Sequence, residues 1–118
     1  MLTVYVHPRC STVKKALKWL DERGIKYQTE DLTLKPIERS KLEEYWKKSN
    51  LPIKKFFNTS GVVYKSLGLS EKVKTMSDEE CLTLLATDGL LVKRPIITDS
   101  VRVTVGFKEG EFEAIWGN

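Results

Sequence analysis

Thr3-Val4-Tyr5-Val6-His7-Pro8-Arg9-Cys10-Ser11-Thr12-Val13 is the stretch on which the reading of this chain turns. Residues 2–6 predict a short strand, and Pro8, which has no N–H to give to a ladder, ends it. Beyond it Val13, Ala16, Leu17 and Leu20 recur at i, i+3, i+4 and i+7, one face of an amphipathic helix over residues 11–23 that Gly24 closes as a left-handed cap. Cys10 therefore stands at a helix N-terminus, where unpaired N–H groups and the positive end of the macrodipole favour a thiolate. Arg9 adds a neighbouring cation. Most free cysteines are buried packing residues; this placement marks Cys10 as a reactive one.

Outward from that unit, residues 25–29 alternate apolar and polar as a second strand does, so a β–α–β crossover with parallel strands is expected. A helix over residues 40–48 follows, with Leu42, Tyr45 and Trp46 on one side and a Ser40–Glu43 capping pattern. Residues 53–75 read as short helices broken by Asn58-Thr59-Ser60-Gly61 and by Gly68. Residues 78–88 form a longer one, capped by Ser77 with Glu80 three residues on. Cys81 falls inside that helix among leucines, as a buried structural thiol. Strands are expected at 96–98 and 102–105, joined by a turn at Asp99-Ser100, and a last helix at 109–116. The order β-α-β, helical block, β-β-α is that of an α/β thioredoxin-like fold carrying a helical insertion at about 38–90 of a single 1–118 domain.

Composition narrows the class. With 41% hydrophobic and 31% charged residues, the 118-residue chain suits one soluble globular domain. No apolar run reaches the ~20 residues of a membrane span. Met1 leads directly into the first strand without a signal-like segment, so a cytoplasmic location and no membrane partner are expected. Two cysteines make no disulfide framework, and with one histidine they give no metal-ligand spacing. The net charge of +4 is mild, and solvated helix faces account for most of Lys14, Lys15, Lys18, Lys47, Lys48, Lys54 and Lys55. Direct nucleic-acid binding is not expected, since no nucleic-acid motif accompanies the charge.

Two further residues bear on the thiol. Pro95 opens the third strand, where a proline marks a bend or a cis bond, and Arg94 before it offers a guanidinium suited to oxyanions. His7, the sole histidine, stands three residues before Cys10 and reads as structural or solvated.

Four segments in order carry a family resemblance: 6–12, 56–61, 64–69 and 88–96, the last reading Asp88-Gly89-Leu90-Leu91-Val92-Lys93-Arg94-Pro95-Ile96. Together they resemble the arsenate reductase (ArsC)/Spx/MgsR family. The resemblance implies a thioredoxin-like fold with a helical subdomain, an active cysteine at Cys10 and an arginine before a cis-proline at Arg94-Pro95. Glutaredoxin-linked arsenate reductases of this family surround the cysteine with three arginines, of which this chain matches Arg94. The other two positions fall near Asn58 and Gly106, and Arg102, on the same strand face as Gly106, is a candidate to compensate in part. Spx regulators, which bind RNA polymerase, carry a Cys-x-x-Cys switch that Val13 removes here.

The function expected is thus that of a single-cysteine thiol oxidoreductase with arsenate open as its substrate. Cys10 and Arg94 are its catalytic residues, and Ser11, Thr12 and Pro95 bind the oxyanion or disulfide. No cofactor is bound. Glutathione, a glutaredoxin or thioredoxin supplies the second thiol, with Cys81 a weaker candidate for it. The alternative is an Spx-type regulator that binds an RNA polymerase subunit without the switch.

Overall fold

A computed structural model describes residues 1–117. The chain divides into two compact units, Met1–Asp31 joined by the chain from Arg94 onward, and Leu32–Lys93.

The first unit is built on a four-stranded sheet in the order β2-β1-β3-β4. Strand β1 (Leu2–Val6) runs parallel to β2 (Tyr27–Asp31) and antiparallel to β3 (Ile96–Thr98), which pairs antiparallel with β4 (Val103–Val105). Helices α1 (Ser11–Glu22) and α6 (Glu109–Ile115) complete it. Leu2, Val4 and Val6 alternate onto one face of β1 and meet Val13, Ala16, Trp19 and Leu20 of α1 and Phe112 of α6 in one core cluster. Trp19 and Phe112 meet edge to face at 5.3 Å. Gly24, at φ +66°, takes the left-handed conformation expected after α1.

Strand β2 starts two residues later than the alternation at 25–29 suggested. Ile25 still belongs to the helix exit, its N–H donating to Leu20 O at 3.1 Å, and β2 is an edge strand whose central residues are exposed. With little to bury, side-chain alternation does not fix its register, and pairing with β1 does.

The second unit holds α2 (Arg39–Ser49), α3 (Val62–Ser66), α4 (Leu69–Lys72) and α5 (Asp78–Leu85), with 3₁₀ turns at Ile53–Phe56 and Gly89–Leu91. A bridge between Phe57 and Val92 and the N–H of Asn58 on Leu91 O, at 2.8 Å, tie the segments that follow the two 3₁₀ turns to each other. The Ser40–Glu43 capping pattern is not realised. Helix α2 begins one residue earlier, with Glu38 at the N-cap, and the Arg39 guanidinium reaches Thr83 and Glu79 of α5. A cross-helix anchor thus sets the start that the local signal placed at Ser40. The capping box of α5 does form: Glu80 N–H donates to Ser77 Oγ at 3.1 Å and Ser77 N–H to Glu80 Oε1 at 2.9 Å.

Candidate active site

His7 to Cys10 make the turn that delivers the thiol. The N–H of Cys10 donates to His7 O at 3.0 Å, and the N–H of Arg9 donates to His7 Nδ1 at 3.1 Å. His7 is thereby a brace of the turn. Cys10 then occupies the N-cap of α1 in an extended conformation, its carbonyl accepting the first helical bond from Lys14 N–H at 3.1 Å. An N-cap side chain faces the N–H groups of the second and third helical residues, here Thr12 and Val13.

The half-buried Cys10 packs against the core of the first unit. A neutral sulfur is a weak acceptor, and a thiolate is what its neighbours favour. Burial alone pushes its pKa up. The Val13 N–H, the Arg94 guanidinium and the Thr12 N–H outweigh that, and the thiol is held below its ordinary value.

Arg94 reaches the site through the sheet. Arg94 stands two residues before β3, whose first residue, Ile96, pairs with Tyr5 of β1, and its guanidinium hydrogen-bonds the Cys10 thiol. The Arg94–Pro95 peptide is cis, Pro95 is buried, and its carbonyl accepts Gly106 N–H at 2.9 Å.

Ser11 is exposed at the first helical position, and the helix-start donors bearing on the sulfur are those of Thr12 and Val13. Val13 was missed as a donor, although the N-cap rule applied to Cys10 identifies it. Arg9 is exposed, and the guanidinium that acts on the thiol is that of Arg94. Arg102 does not compensate for the missing arginines. Its guanidinium donates to Asp99 Oδ2 at 2.8 and 3.0 Å and to Ile115 O at 2.5 Å, and lies 4.9 Å from the Trp116 ring centroid. It belongs to the β3–β4 turn, at the opposite end of β3 from Arg94. Cys81 is fully buried in α5. Burial and Asp78, opposed by Lys54 and joined by Glu80, push its thiol up. Among the described residues, no helix is long and apolar enough to cross a membrane.

A strand-turn-helix thiol facing an arginine beside a cis-proline is a recognisable constellation, and a family model for the ArsC family matches residues 5–115. The chain belongs to that family. Its ArsC relatives include the uncharacterized protein YusI of Bacillus subtilis, 49% identical over 98% of each chain. A solved structure of an ArsC family related protein from Bacteroides fragilis superposes at a TM-score of 0.93 with 47% identity, covering 96% of this chain and 95% of that one. The global transcriptional regulator Spx of Streptococcus mutans is 27% identical over 97% of this chain and 82% of its own. The ArsC fold seen here is thioredoxin-like.

Proposed function

We propose that this ArsC-family protein is a single-cysteine thiol oxidoreductase with Cys10 as nucleophile. One observation carries the reading: the Cys10 thiol is held below its ordinary pKa by Val13 N–H, Arg94 and Thr12 N–H against the opposing effect of burial. A thiolate, not a thiol, attacks disulfides and oxyanion centres.

With a disulfide substrate, Sγ forms a bond to one sulfur and the other leaves as a thiolate with the electron pair. An external thiolate then attacks the mixed disulfide and releases Cys10 as the thiolate. With arsenate, Sγ displaces a hydroxyl that leaves as water with a proton from solvent, and a first external thiol displaces a second hydroxyl in the same way. A second external thiolate attacks the sulfur of the first and leaves with it as a disulfide, the electron pair of the broken S–As bond staying on arsenic. Water then cleaves the Sγ–As bond to free arsenite and Cys10. Arg94 stabilises the charge on the sulfur and on the incoming group. Pro95 and its bond from Gly106 fix the backbone that carries Arg94. The second thiol comes from glutathione, a glutaredoxin or thioredoxin, because Cys81 is fully buried. One guanidinium contributes about 1.5–3 kcal/mol to holding a charged oxygen. Of the three arginines that arsenate reductases of this family use, the chain matches Arg94, so disulfides are favoured over arsenate.

The test is the pH dependence of iodoacetamide labelling, followed by turnover of arsenate and of a model disulfide with glutathione and glutaredoxin. Cys10 is expected to label with a pKa below the ordinary value of about 8.5. Arg94→Ala is expected to raise that pKa and slow turnover roughly tenfold. A pKa of about 8.5 or above in the wild type defeats the reading.

The Spx likeness over nearly the whole chain favours a second reading, a regulator that binds an RNA polymerase subunit. Val13 in place of a second cysteine makes that binding independent of a redox switch. Its test is association with purified polymerase that survives Cys10→Ser.

A further inference from the structure

The charges of α1 run against its dipole. Anions stabilise helix N-termini and cations C-termini, yet α1 has no acidic residue in its first turn and no basic residue in its last. Lys14 and Lys15 occupy its N-terminal half and Lys18 its middle, with Arg9 just before it, and Asp21 and Glu22 its far end. All four cations are exposed, and among the described residues none enters an ion pair. Helix α2 treats its lysines differently: Lys47 and Lys48 each pair with a glutamate one turn earlier, Glu43 and Glu44. Lys15 and Lys18 share a groove with Glu22 and Glu109, so the least compensated charges are Arg9 and Lys14, nearest the thiol. Since Arg94 and the helix N–H groups account for the state of the sulfur, these cations are free to act on what approaches it.

We propose that Arg9, Lys14 and Lys18 form the receiving surface for an acidic polypeptide whose cysteine sulfur exchanges with Cys10. The proposal rests on the thiol-oxidoreductase reading above. At 1.5 Å per residue, Lys14 and Lys18 lie about 6 and 12 Å along the helix from Cys10. An extended chain advances about 3.3 Å per residue, so side chains two and four residues from the partner's cysteine come opposite the two lysines. Those side chains also share the cysteine's face. Acidic residues at alternate positions around the exchanging cysteine are thus the complementary pattern. In the exchange, Cys10 Sγ⁻ bonds to the peptide sulfur and the former partner sulfur leaves as a thiolate.

The probe is a synthetic peptide with glutamate two and four residues on either side of a single cysteine, held as its mixed disulfide with 5-thio-2-nitrobenzoate. A glutamine version serves as control, and release of the coloured thiolate gives the rate. At about 20 mM salt the glutamate peptide is expected to react roughly tenfold faster than the glutamine one. That preference should fall to within about twofold at about 500 mM salt. The variant Lys14→Glu/Lys18→Glu should abolish it, with Lys14→Glu alone doing more than Lys18→Glu. Both sites are exposed, and dividing each peptide rate by the same variant's rate with neutral iodoacetamide removes the effect of the new charges on the thiol itself.

Equal rates for the two peptides, or a preference that survives the double variant, overturn the proposal. Glutathione disulfide, a small anion, should slow by less than about threefold in the double variant. A loss as large as the peptide's indicates general steering and overturns the polypeptide surface. A wild type that reacts with no disulfide removes the underlying reading as well.

Discussion

Cys10 and Cys81 both sit within a turn of a helix N-terminus, and only one is poised to react. Cys10 is itself the cap of α1, so its sulfur faces Thr12 and Val13 N–H groups that nothing else claims. Cys81 lies one turn inside α5, where Ser77 and Glu80 have closed a capping box and Asp78, Glu79 and Glu80 fill the first turn with negative charge. Its side chain is fully buried, and burial with the nearby carboxylates keeps it a thiol. A helix dipole is therefore not sufficient. What decides is whether the cap is the cysteine or a serine, and which sign of charge the first turn carries.

The largest expected effects separate the two residues outright. Cys10→Ser should abolish disulfide exchange. Cys81→Ala should leave the exchange rate unchanged while lowering stability by about 1 kcal/mol for the buried atom removed. Equal losses of exchange from both variants would make Cys81 a participant and break the contrast. The same pair carries a pH signature. A folded-state pKa held below the unfolded one contributes stability that is fully present above the unfolded value of about 8.5 and is lost as pH falls through the folded value. The stability of wild type relative to Cys10→Ser should therefore increase with pH across that window, by chemical denaturation at a series of pH values. Cys81, displaced in the other direction, has the opposite slope against Cys81→Ala.

Ser77→Ala tests the structural side of the comparison. Losing the cap should cost about 1 kcal/mol and lower the thermal midpoint by a few degrees, with iodoacetamide labelling of Cys10 unaltered. Labelling of Cys81 at the same rate as Cys10 in this variant would mean that the cap, and not burial, had kept it inert.

These contrasts explain which parts of the molecule were legible in the sequence. Strand β1, helix α1 with Gly24 after it, the β3–β4 hairpin and the α5 capping box follow from local signals, each backed by a residue type with few alternatives. The start of α2 was not legible at Ser40, because the Arg39 contacts to Thr83 and Glu79 are long-range. Strand β2 starts two residues later than its local alternation suggests, because an exposed edge strand has no buried face to set its bounds. In the site, Cys10 was readable from its cap position. The guanidinium next to it was harder: Arg9 is adjacent in sequence, but the one that acts on the thiol is Arg94, eighty-four positions away and two residues before β3. Arg102 shows the converse. Strand alternation put it on a promising face, and Asp99, Ile115 and Trp116 hold it at the other end of the strand.

The smallest effect is also the sharpest test of why the two helix starts differ. Ser11 is exposed at the first position of α1 and its N–H is not among those bearing on the sulfur. Ser11→Asp therefore gives α1 the acidic first turn of α5 without touching the donors, the core or Arg94. An acid at a helix N-terminus contributes roughly 0.3–1 kcal/mol, so the variant should unfold at slightly higher denaturant than wild type. The same charge repels a neighbouring thiolate, so the Cys10 pKa should rise and iodoacetamide labelling at neutral pH should slow. The two effects are opposite in sign and share one cause. A variant that gains stability with no rise in the Cys10 pKa would show that the first-turn charge does not distinguish the two cysteines, leaving cap identity and burial to account for the whole difference.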